Sequence, residues 1–233
     1  MKRFRNTIIL SMLLALTLCV GAQATENTML KVGLKYGSDA LFTARLQNYN
    51  DTLSGSGYEF GYYDADRSFV PLAVTDEQKI TVTVDSNAYV SGGVCYETRP
   101  TNYSTILGAY HIELLTAFGS YEEALAVAQS YPKGFVAYID GAYRVRVGNH
   151  ASYDESARVL SETDVLAYGA QIVTPSSTGV VVSVTDTDTV LFEFDCSGLR
   201  SLGVRPRSVS GEKTVTWFSG YRYYGGFEYQ RAL

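Results

Sequence analysis

Histidine, cysteine, tryptophan and proline are scarce in this 233-residue chain, which holds two, three, one and five of them. Collagen-like repeats need far more Gly and Pro than the 21 and 5 present. The two histidines, His111 and His150, do not belong to an H-E-x-x-H helix, which removes the zinc-hydrolase reading. His150 follows Gly148-Asn149 before a helix and reads as a solvated loop residue. No C-x-x-C pair exists, and structural zinc takes four ligands, usually in close pairs, so no metal is expected. The G-x-S-x-G, P-loop and G-x-G-x-x-G patterns are also missing, so no cofactor is expected. Nothing marks a particular carboxylate pair for glycoside chemistry. Basic residues number 19 against 24 acidic ones and form no stripe, which argues against nucleic acid.

One long apolar run is present, Thr7 to Val20, after the basic Lys2, Arg3 and Arg5 and before Ala22-Gln23-Ala24. That order is the secretory leader pattern, with cleavage expected after Ala24. The run is short of the ~20 residues a bilayer span requires, and no other segment is apolar enough. An extracytoplasmic protein without a membrane span follows. Losing the three basic residues takes the net charge from −5 to about −8. Two thiols remain after cleavage, Cys95 and Cys196, either one disulfide or two separate buried thiols.

What the chain does have is 46% hydrophobic residues and 19 Tyr, enough apolar material for a real core and a bias toward strands. Residues 25–105 read as β-rich. Met29 to Tyr36 alternates loosely, Ser54-Gly55-Ser56-Gly57 breaks the chain, and Tyr58 to Tyr63 restarts it. Lys79 to Val84 has the period of two of a half-buried strand. Asp64 and Asp66 fit a turn better than a cation loop. Residues 177–233 return to strands: a Val180–Phe194 hairpin whose Asp186 and Asp188 sit in the turn, and a terminal aromatic, Gly-rich run.

Between them, residues 106–176 spell β-α-β-β-α-β. Tyr110–Leu115 is a strand, and Ser120 with Glu123 caps a helix whose apolar face is Ala124, Val127, Ala128 and Tyr131. Pro132 and Gly134 end it. Phe135–Ile139 and Tyr143–Val147 form a hairpin across Asp140-Gly141. Ser152 and Glu155 cap a second helix, and Ala170–Thr174 is the last strand. Ser120-Tyr121-Glu122-Glu123-Ala124 and Ser152-Tyr153-Asp154-Glu155-Ser156 repeat each other. Two such halves make a ferredoxin-like split βαβ, with both helices on one sheet face and the other face open.

The run Tyr143-Arg144-Val145-Arg146-Val147-Gly148, with Ala151 to Ala157 and Ile112 to Ala124, resembles the SPOR (sporulation-related repeat) domain family. The flanking Val32-Gly33-Leu34-Lys35-Tyr36-Gly37, Gly61-Tyr62-Tyr63-Asp64 and Gly220-Tyr221-Arg222-Tyr223 resemble the N-terminal, non-catalytic region of stage II sporulation protein D relatives. The first resemblance implies an α+β protein, a βαββαβ SPOR-type domain with β-rich flanks. It also implies peptidoglycan as partner, glycan strands being held on the sheet face away from the helices. If Val145 and Val147 face the helices, Arg144 and Arg146 face outward, as glycan contacts or as solvated arginines. His111 and Glu113 on the first strand and Gln171 on the last share that face. The expectation is a secreted, non-enzymatic cell-wall protein of sporulation or division that works beside cell-wall hydrolases. The alternative is the front of a protein D type lytic transglycosylase or amidase enhancer, whose Glu-Met motif would come after Leu233.

Overall fold

The structure, a computed structural model, describes residues 30–50, 53–162, 169–198, 200–208 and 214–231. The leader at 1–24 lies outside them. Two units divide the chain, Met1–Ala40 and Leu41–Leu233. In the first, residues 30–36 form no strand, and Gly37–Asp39 is a 3-10 turn. The second unit runs β1 (Thr43–Gln47), β2 (Tyr49–Asn50), β3 (Leu53–Tyr63), β4 (Phe69–Thr75), β5 (Lys79–Val84), β6 (Ala88–Ser91), β7 (Val94–Tyr96), β8 (Thr105–Leu107) and β9 (Tyr110–Leu114). Helix α1 (Tyr121–Ala128), β10 (Gly134–Ile139), β11 (Ala142–His150), α2 (Tyr153–Glu162) and β12 (Ala170–Val173) follow. The chain continues through β13 (Gly179–Val184), β14 (Val190–Asp195), β15 (Leu202–Ser208), β16 (Val215–Phe218), β17 (Tyr221–Tyr224) and β18 (Phe227–Tyr229).

Local chemistry sets the middle of the chain. Ser120 Oγ accepts from the Glu123 amide at 3.3 Å, while the Glu123 carboxylate accepts from the Gly119 amide at 3.2 Å. Ser152 and Glu155 repeat this pair at the start of α2, at 3.2 Å and, to the Ala151 amide, 3.0 Å. Each pair satisfies amides that the first helical turn leaves without intrahelical partners. Asp140 and Gly141 both take positive φ, 51° and 80°, as a two-residue hairpin turn requires. Asp64 accepts from the amides of Asp66 (3.0 Å) and Ser68 (2.8 Å), a turn as read from sequence. The expected break at Ser54–Gly57 is instead part of β3. Gly57 has φ +97°, and a Cβ there would stand 2.1 Å from the Thr75 carbonyl, so glycine lets the β4 end close on β3.

The fold class expected from sequence is overturned. Among the described residues strands make up 51% and helices 11%, and they form no separate ferredoxin-like α+β domain. Strands β12-β9-β11-β10 do lie side by side in that order, but they are one end of a ten-stranded sheet that continues β14-β13-β5-β1-β16-β17. The join is a parallel pairing of β10 with β14, Val136 opposite Phe192 and Tyr138 opposite Phe194. Strand β10 reads Gly-Phe-Val-Ala-Tyr-Ile, with Phe135, Val136 and Ala137 all buried. Such an unbroken apolar run belongs to an interior strand rather than to an edge. Strands from all three of the segments 41–105, 106–176 and 177–233 therefore enter one sheet, and one unit, Leu41–Leu233, contains them.

Helices α1 and α2 pack on one face of the β12–β10 end. On the same side a second sheet, β18-β15-β3-β2 with β4 on β3, packs against the first, Phe60 stacking on Phe192 at 5.7 Å. The opposite face is not fully open. A small sheet, β7-β6-β8, sets Ala88 and Leu107 against Val181 of β13. Cys95 packs in that small cluster, whereas Cys196 sits in the main core with its thiol toward the Tyr229 carbonyl. Both are free thiols, so the disulfide option is set aside.

Candidate functional site

Alternation along β11 works as expected. Val145 and Val147 enter the core under the helices, and Arg144 and Arg146 take the other face. Pairing then places Glu113 beside both Arg146 and Gln171, and Ala137 beside both Arg144 and Glu193. All five residues expected to bind glycan, Arg144, Arg146, His111, Glu113 and Gln171, thus share one face.

They do not share one environment. Arg146 is buried and donates from Nε to Glu113 Oε2 at 2.8 Å and from Nη1 to Glu193 Oε1. Burial opposes its charge, but the two carboxylates outweigh that and hold its pKa above the ordinary value. His111 is fully buried and donates from Nδ1 to the Gly148 carbonyl at 2.7 Å. Its Nε2, a lone pair in that tautomer, stands 3.9 Å from Glu193 Oε2. Burial lowers the His111 pKa, which favours the neutral ring. Nearby, buried Asp85 accepts from the Ser176 amide at 2.6 Å. Burial first, and then the charge of Glu193, push its carboxyl up to about 8. As placed, Arg146, Glu113, Glu193 and His111 are buried and tie β9, β11 and β14 together.

The remaining residues of that face meet solvent. Arg144 is half-buried and donates from Nη1 to the Leu115 carbonyl at 3.2 Å. Leu115 is 54% exposed, and exposed Gln171 donates to Glu113 Oε1 at 3.2 Å. A guanidinium has five donors, so Arg144 can hold a polar ligand beside the Leu115 side chain. His150 is half-buried at the end of β11, its Nδ1 3.7 Å from Glu155 Oε1, rather than solvated in a loop. Among the described residues no group of three or more His, Cys, Asp or Glu is placed to hold a metal ion.

Sequence reasoning missed Glu193 and Asp85. The available signal was a charge inside the apolar run Val190-Leu191-Phe192-Glu193-Phe194, which an interior strand must pair. It also missed that Asp186 and Asp188 are ion-pair partners, of Arg45 at 3.1 Å and Lys133 at 2.7 Å. No protein-family model, curated protein or solved structure matches the chain.

Proposed function

We propose that the chain is an exported cell-wall protein that binds peptidoglycan glycan strands, without catalysis, through the solvent-facing part of the β9–β12 face centred on Arg144. The observation that carries this reading is the position of Arg144: opposite the helices, partly exposed, and hydrogen-bonded to the backbone of exposed Leu115, with exposed Gln171 on the same face two strands away. A sugar presents an apolar C–H face and a rim of hydroxyls, which such a mixed patch matches. The leader pattern of residues 1–24 and the SPOR-like Arg-Val-Arg-Val-Gly run support the same reading. Two carboxylates of that face, Glu113 and Glu193, are engaged by Arg146, which agrees with a binding role.

Sedimentation with purified glycan strands, with and without amidase pretreatment, tests it. Wild type is expected to pellet with amidase-treated strands. Arg144→Ala is expected to weaken binding about tenfold while leaving the fold intact, one charge-assisted contact being about 1.5–3 kcal/mol. Wild-type protein that stays in the supernatant, or a folded Arg144→Ala that binds unchanged, overturns the reading or its site respectively.

A further inference from the structure

The far end of the same sheet face carries a row of a different kind. Lys79 of β5 pairs with Gln47 of β1, Gln47 with Trp217 of β16, and Trp217 with Arg222 of β17. Directly opposed residues of neighbouring strands project to one side, so the four side chains form a line across the sheet. At about 4.8 Å per strand it is roughly 14 Å long. Trp217 is 40% exposed, Lys79 and Arg222 are exposed, and Tyr224, two residues beyond Arg222 on the same face, is 72% exposed. The core-facing partners Thr216 and Phe218 are buried, and Ser219-Gly220, with φ 50° and 86°, closes the hairpin tightly. Gln47 is anchored by donating from its amide to the Tyr49 carbonyl at 2.7 Å.

We infer that this row is a second glycan platform, taking a strand that bears carboxylates. Trp217 and Tyr224 offer exposed rings for the apolar faces of sugars, and an aromatic with a polar edge suits a ligand that is apolar on one side and wet on the other. Lys79, exposed at the β5 end of the row, brings positive charge to the surface of a chain whose net charge is −5. That local reversal favours an anionic polymer over a neutral one. The polar members make the row unlike the apolar centre of a protein–protein interface, which is depleted in charge. Lactyl carboxylates exposed on peptidoglycan stripped of its stem peptides supply the matching groups. The inference rests on the peptidoglycan reading but uses separate residues. Six strand spacings, roughly 29 Å along the sheet, lie between β11 and β16.

Trp217 is the chain's one tryptophan, so its emission reports on the row. Titration with amidase-treated glycan strands is expected to give a saturable change in emission, and Arg144→Ala should keep that change at saturation. Tyr224→Ala, at an exposed position, should weaken binding about tenfold, as a contact residue does. Lys79→Gln should flatten the salt dependence, and neutral chitin oligomers should bind more weakly than the acidic strands. If wild type pellets with the strands while Trp217 emission stays constant and Trp217→Ala binds as well as wild type, the platform is overturned and the peptidoglycan reading stands. A wild type that neither pellets nor changes emission overturns both. Equal affinity for chitin oligomers overturns the carboxylate assignment.

Discussion

One face of the ten-stranded sheet handles arginine in two opposite ways. Over β9, β11 and β14, Arg146 is buried between Glu113 and Glu193, with His111 and Asp85 close by and equally out of water. Across β5, β1, β16 and β17, Lys79, Arg222 and Trp217 lie open. The residue types overlap, so composition does not separate the two ends; cover does. A buried charge must be paired and hydrogen-bonded, and becomes part of the scaffold, whereas the contacts of an exposed one compete with water. Removing single groups at each end should therefore produce effects of different kind and size.

The largest effect is expected at Arg146. Arg146→Ala leaves Glu113 and Glu193 buried without their cation, and breaking such a pair costs about 3–5 kcal/mol. Urea unfolding reads it directly. The triple variant Arg146→Met, Glu113→Gln, Glu193→Gln removes every charge of the group and should recover much of that loss, since an apolar replacement of a buried ion cluster is often neutral. If Arg146→Ala costs less than about 1 kcal/mol, as exposed pairs do, the contrast between the two ends collapses.

A smaller, pH-dependent effect is expected at Asp85. Its carboxyl moves from 3.8 up to about 8 on folding, chiefly through burial. The folded state then binds the proton more tightly than the unfolded chain. Stability present at low pH is lost as pH rises from about 4 to about 8. Asp85→Asn carries no charge and can still accept from the Ser176 amide. It should match wild type near pH 4 and exceed it progressively toward pH 8, by at most about 1.4 kcal/mol per pH unit. Parallel stability curves for the two proteins would show that Asp85 ionises freely, and that this end of the face is wetter than its packing implies.

How much of this was legible in the sequence depends on distance along the chain. The Ser120–Glu123 and Ser152–Glu155 caps, the Asp140-Gly141 turn and the alternation of Arg144 to Val147 each involve a few neighbouring residues, and all stand where they were read. The pairing of β10 with β14 joins residues 134–139 to 190–195, and no local period encodes a partner so remote. That one pairing turns a four-stranded unit into part of a ten-stranded sheet. It also brings Glu193 to Arg146, so the pairing that changes the fold also sets the surroundings of the expected site residues. Tyr224 was visible within the terminal aromatic run and Trp217 was not singled out; that the two share a face became apparent only with the register of β1, β16 and β17.

The smallest effect is expected at Arg45, which offers the closest control for Arg146. It lies on the same sheet face, pairs with Asp186 at 3.1 Å and also donates to the Gly93 carbonyl, so its hydrogen bonding resembles that of the buried arginine. Its side chain and that of Asp186 are 42% and 50% exposed. Water therefore replaces whatever either partner loses, and side-chain ordering offsets part of the Coulombic gain. Arg45→Ala should cost no more than about 1 kcal/mol, and the difference from wild type should shrink further in high salt, where exposed pairs are screened. The cost of Arg146→Ala should hold under the same salt, because solvent ions do not enter between β9, β11 and β14. A salt-insensitive loss of several kcal/mol at Arg45 would mean that the contacts of the arginine, rather than its cover, set the energetics of this face.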